Sequence, residues 1–153
     1  MRVGWISALV LGLAVMTGRA EGVDAKIFKV LPHLLDEQGR ISISPGLFER
    51  EAYQKQLREN LQRVSGLRYD VQWKAPGTNA ERLRLRIQLR TAKLEPHRPL
   101  TIEAGVNDHR RWGGWSSVQL DGTAYREAGE VLAWRAVLLD GESEIAEQKS
   151  FLW

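Results

Sequence analysis

No cysteine occurs in the 153 residues. That absence excludes disulfides, thiolate zinc sites, iron–sulfur clusters, a cysteine nucleophile and a lipid-modified N-terminal cysteine. Histidine is scarce as well: His33, His97 and His109 stand at no metal-ligand spacing, so no metal site is expected. A large excess of one charge is missing too. The 22 Lys and Arg side chains face 19 Asp and Glu, for a net charge of +3. That is short of the strong positive field on which nucleic-acid binding depends, and no nucleic-acid partner is expected. No run beyond the first 20 residues approaches the roughly 20 apolar residues of a membrane-spanning helix. Ser116, Ser117 and Ser150 lack the glycine-flanked strand–turn–helix context of a nucleophile elbow. The carboxylates fall in turns, helical pairs and exposed strand faces rather than in an isolated acid/base pair. With no cofactor motif either, the expectation is a protein without enzymatic activity.

What is present begins with an export address. Arg2 supplies a positive start, residues 3–16 carry no charge, and Gly18-Arg19-Ala20 offers small residues at the two positions a signal peptidase reads. Residues 1–20 are therefore expected to be a signal peptide and residues 21–153 one exported domain, periplasmic, at the cell surface or extracellular. Cleavage after Ala20 removes Arg2 and Arg19. It leaves 133 residues with 20 basic and 19 acidic side chains, a net charge of +1.

Within that domain, residues 26–33 read as a first strand stopped by Pro32, and residues 41–44 as a short second one. The one strong helix signal covers residues 45–65. Ser44 is placed to cap it, Pro45 to start it and Gly66 to end it in the left-handed conformation. Tyr53, Leu57, Leu61 and Val64 form its apolar stripe, while Glu51–Lys55 and Glu59–Arg63 are favourable i,i+4 pairs. Its polar side mixes both signs, without the cationic excess of a lipid-seeking helix.

After Gly66 the hydrophobic period drops to two. Leu67, Tyr69, Val71 and Trp73 alternate with polar residues, and Leu83, Leu85, Ile87 and Leu89 alternate with Arg82, Arg84, Arg86, Gln88 and Arg90. Such alternation marks strands with one buried and one solvated face. Further strands are expected at 100–104, 115–120, 131–139 and 142–153, with a single helical turn at 123–127. The segment 131–139 is apolar on both faces apart from Arg135, as in a central strand, and Asp140-Gly141 is a hairpin turn signal. No crossover helix separates the later strands, so the sheets must be antiparallel. The expected fold is mainly β: an antiparallel immunoglobulin-like β-sandwich of about seven strands, with one amphipathic helix inserted after the first strand.

A resemblance rests on particular blocks: Trp112-Gly-Gly-Trp115, Leu120-Asp-Gly-Thr-Ala-Tyr125, Gly129-Glu-Val-Leu-Ala-Trp134-Arg and Gln148-Lys-Ser-Phe-Leu-Trp153, with Leu31-Pro-His-Leu-Leu-Asp-Glu-Gln-Gly-Arg and Ser65-Gly-Leu-Arg-Tyr-Asp-Val-Gln-Trp-Lys upstream. In these the chain resembles small exported bacterial proteins of unknown function with an immunoglobulin-like or fibronectin type III-like sandwich. The resemblance implies a fold and a destination, and brings no catalytic motif.

Two surfaces are candidates for binding. Trp112 and Trp115, beside Asn107, Arg110 and Arg111, have the composition of a stacking platform for a sugar ring; the alternative is that both tryptophans serve packing. Arg82, Arg84, Arg86 and Arg90 on one strand face either grip an anionic polymer or are cross-paired with acids such as Glu142, Glu144 and Glu147. The expected function is an exported module for protein interaction or structure in the cell envelope or outside the cell. The alternative is a module that binds a glycan or anionic envelope polysaccharide.

Overall fold

The computed structural model describes residues 24–95, 97–106 and 114–153, so the expected signal peptide lies outside the described residues. The alternation after Gly66 becomes strands, as its period requires. In chain order the elements are β1 (Lys26–Leu35), α1 (Leu47–Glu59), β2 (Gly66–Lys74), β3 (Leu83–Thr91), β4 (Leu100–Gly105), β5 (Gly114–Asp121), α2 (Gly122–Ala128), β6 (Val131–Asp140) and β7 (Ser143–Lys149). Short 3-10 turns stand at Leu61–Arg63 and Ala80–Arg82. Every strand pairing is antiparallel, in one sheet ordered β1-β2-β5 and a second ordered β4-β3-β6-β7. No helix among the described residues is long and apolar enough to cross a membrane.

The core lies where the two sheets face each other. Tyr69, Val71 and Trp73 from the first sheet and Leu85, Ile87 and Leu89 from the second belong to one buried cluster, joined by Val118 and Leu138. Each such side chain taken out of water contributes about 1.5–3 kcal/mol before entropy is counted, and that burial holds the sheets together without a disulfide. β6 is central, between β3 and β7, and it is buried on both sides. Its outward residues Val137 and Leu139 lie in register with Arg86 and Arg84 of β3 and with Glu147 and Glu144 of β7. Long charged side chains cover apolar surface with their stems while their heads stay wet, which explains an apolar outer face on a solvated sheet.

Several boundaries differ from the sequence reading, each for a physical reason. Pro32 does not stop the first strand. Among the described residues β1 is an edge strand, paired with β2 alone, so a missing N–H costs no ladder bond on its open side. Residues 41–44 form bends rather than a strand, with the Ser42 hydroxyl donating to the Ser44 carbonyl at 2.6 Å. The helix runs over 47–59 rather than 45–65, and Gly46, not Ser44, precedes it. It ends at Asn60, whose φ of −134° is not helical. The Glu59–Arg63 spacing therefore straddles the break, while Lys55 and Glu59 stay 3.9 Å apart. Gly66 is no left-handed cap; it opens β2, where a Cβ would meet the Leu120 carbonyl oxygen at 2.8 Å. The helical turn expected at 123–127 is α2, capped by the Asp121 carboxylate, which accepts from the N–H groups of Thr123 and Ala124. Trp153 closes no strand, since β7 ends at Lys149; its ring instead lies under the Arg90 guanidinium, 4.4 Å away.

Candidate functional site

Of the residues proposed for a sugar platform, Asn107, Arg110, Arg111 and Trp112 lie outside the described residues. Trp115 does not anchor the core. The pleat of β5 turns Ser116, Val118 and Leu120 inward and Trp115, Ser117 and Gln119 outward. Trp115 is 43% exposed on the outer face of the first sheet, in register with Gln72. Further along that face, Asp70 accepts from the Ser117 hydroxyl at 2.5 Å and from Arg68 Nη2 at 3.0 Å. His33 Nε2 lies 3.8 Å from Asp70 Oδ2. Burial lowers the imidazole's pKa despite the neighbouring carboxylate, and Arg68 pushes the same way, so His33 is neutral at pH 7 and the contact is no ion pair.

The arginine row of β3 stands on the outer face of the second sheet, beside the acids of its neighbours. Arg82 Nε lies 2.9 Å from Asp140, Arg84 Nη2 lies 2.9 Å from Glu142, and Arg86 Nε lies 2.7 Å from Glu103. Arg90 takes the Trp153 ring. Of the three acids expected as partners, only Glu142 faces the row. Glu144 and Glu147 instead hold Arg135, at 2.6 and 2.7 Å. Three of the four guanidinium groups thus carry a carboxylate, which leaves little net field for a polyanion.

A third feature was not foreseen in the sequence. Residues of α1 and α2, with residues of both sheets, line a cleft of about 740 Å³. Its wall takes Leu67 and Tyr69 from β2, Leu132 and Trp134 from β6, and Tyr125 from α2. Burial raises the pKa of both tyrosines, so their hydroxyls are neutral donors at any physiological pH. In sequence Tyr69 reads as an ordinary inward strand residue. The available signal was that a phenol at such a position needs a partner for its oxygen. Among the described residues no group of three or more His, Asp or Glu side chains is arranged to hold a metal ion. Comparison of the chain with protein-family models, with curated proteins and with solved structures finds no match.

Proposed function

We propose that the chain is an exported module of the immunoglobulin-like kind that works by binding a partner protein in the cell envelope or outside the cell, rather than by catalysis. The leader composition of residues 1–20 supports export. The strand order β1-β2-β5 against β4-β3-β6-β7, with the chain changing sheet after β2, β4 and β5, supports a fibronectin type III-like arrangement. The observation that carries the interaction reading is apolar surface left in water around the start of α1. Phe48 is 83% exposed, and Ile43 and Leu47 are exposed within the same six residues. Clustered apolar side chains on an otherwise charged surface mark contact sites.

Substituting Leu47→Ser together with Phe48→Ser tests this. Both side chains are outside the core, so the melting midpoint is expected to stay within the effect of about 0.5 kcal/mol per surface change. Chemical crosslinking in the producing cells is expected to join the wild-type protein to a partner protein and to lose that product in the double variant. An unchanged crosslinking pattern would sink the reading.

A second reading is favoured by the outward Trp115. An indole 43% exposed beside Gln72 offers an apolar face and a hydrogen-bonding neighbour to a sugar ring. If envelope polysaccharide is the ligand, Trp115→Ala abolishes co-sedimentation with isolated polysaccharide, while the Leu47/Phe48 double variant sediments like wild type. Retention of polysaccharide by Trp115→Ala would eliminate the sugar platform.

A further inference from the structure

We infer that the cleft between α1, α2 and the two sheets is a binding site for a small amphipathic anion, an apolar chain or ring bearing one carboxylate. The site is separate from the Phe48 surface and from Trp115, and the inference does not rest on either. Its volume of about 740 Å³ falls inside the roughly 300–1,000 Å³ typical of small-molecule sites. Its apolar wall is partly wet: Leu132 is exposed, and Trp134 is only half-buried although it packs against the core cluster. An apolar body seated there removes that surface from water, which is the driving term for its binding.

Charge decides what the other end of the ligand must be. The ionisable side chains lining the cleft, tyrosines apart, are Arg58, Lys93, Arg126 and Glu130, three cations to one carboxylate. Elsewhere Arg68, Arg82, Arg84, Arg86 and Arg135 each lie against an acid. Around the cleft they do not, among the described residues. Lys93 donates to the Arg126 carbonyl at 2.9 Å, and Arg126 Nη1 donates to the Val64 carbonyl at 2.9 Å, so each binds backbone, and neither makes an ion pair among the described residues. Arg58 makes no hydrogen bond or ion pair among the described residues. The Tyr69 and Tyr125 hydroxyls likewise have no hydrogen-bond partner in the protein among the described residues. A neutral phenol can donate to an acceptor, and beside Arg58, Lys93 and Arg126 the favoured acceptor is an anionic one. Apolar walls, two spare hydroxyl donors and one uncommitted guanidinium together describe the complement of a carboxylate on an apolar body.

Dodecanoate, kept below its micelle onset, is the probe, with dodecanol as its neutral counterpart; binding is read by titration calorimetry on the full mature chain. The expected result is saturable one-to-one binding of dodecanoate. Arg58→Gln is expected to weaken dodecanoate about tenfold and to leave dodecanol unchanged, the loss of one charge-assisted contact. Leu132→Asp is expected to weaken both, since it places a carboxylate on the apolar wall. Arg58 and Leu132 are exposed, so both variants are expected to melt like wild type. Absence of saturable dodecanoate binding by the wild-type protein overturns the inference. So does binding that neither substitution alters, because the molecule would then sit elsewhere.

Discussion

Replacing Asp36 by alanine is expected to lower the unfolding free energy by about 3 kcal/mol and the melting midpoint by roughly 10 °C. The carboxylate is 1% exposed at the end of β1 and is held by four donors. Its Oδ1 accepts from the backbone N–H groups of Gln38 and Arg40, at 2.9 and 2.8 Å. Its Oδ2 accepts from the Tyr53 hydroxyl at 2.7 Å and from Arg40 Nε at 2.9 Å. The residue thereby ties the β1 terminus to the following turn and to α1, and alanine leaves the buried Tyr53 hydroxyl without its acceptor. Burial alone opposes ionisation, but the Arg40 N–H, the Tyr53 hydroxyl, the Arg40 guanidinium and the Gln38 N–H outweigh it and hold the pKa at about 2. A carboxylate depressed in the folded state contributes stability above its unfolded pKa, near 3.8, and that contribution is lost as pH falls through about 2. Urea midpoints measured between pH 5 and pH 2 should therefore fall more steeply for wild type than for Asp36→Ala, the two converging at the acid end. Glu147, held low by Arg135, titrates in both proteins, so the difference between the curves belongs to Asp36. A loss under 1 kcal/mol with parallel curves would show that the network is solvated and contributes little.

How much of this was legible depended on whether the deciding partner is near in sequence. β2 and β3 were readable because each has one face against the opposite sheet, which imposes a period of two on Leu67–Trp73 and Leu83–Leu89. The β6–β7 turn was readable because Asp140-Gly141 supplies a positive φ, +60° at Gly141, where the hairpin needs it. The direction of Trp115 was not: propensity places a large aromatic inside, and only the pairing of Trp115 with Gln72 reveals that β5 faces the other way. Glu103 as the partner of Arg86 depends on the β3–β4 register, set across a connection whose length hides it. The cleft was invisible for a further reason. Each of its residues has an unremarkable local role, Tyr69 in a strand and Arg58 on a helix, and the site exists only where two sheets and two helices converge.

Gln54→Leu is the second substitution with a large expected effect, a loss of about 2–3 kcal/mol, although it adds apolar volume to a buried position. Nothing in the helical pattern singles out Gln54, yet it is one of the few buried polar residues. Its Oε1 accepts from the Leu34 N–H at 2.8 Å, and its Nε2 donates to the carbonyls of Leu34 and Ile41, each at 2.8 Å. The side-chain amide thus occupies the place a neighbouring strand would take on the open side of β1, and satisfies an edge that would otherwise be free to pair with another chain. Leucine keeps the shape and abandons three backbone groups, the two of Leu34 buried and that of Ile41 partly so. Gln54→Glu separates shape from chemistry. The introduced carboxylate still accepts from Leu34 but faces two carbonyl oxygens, so at pH 7 it is expected to destabilise more than leucine does. Part of that loss should return as pH is lowered and the carboxyl protonates, the reverse of the pH response expected at Asp36. Hydrogen exchange supplies a local readout: the Leu34 amide should exchange faster in Gln54→Leu than in wild type by more than the global stability loss explains, while the Val71 amide, between β1 and β5, should follow the global change alone. A Leu34 amide that stays as protected as that of Val71 would mean that α1 shields β1 by packing and not through this amide. The Gln54 side chain also lines the cleft, so its loss should loosen the seat of α1 and weaken dodecanoate binding along with the edge.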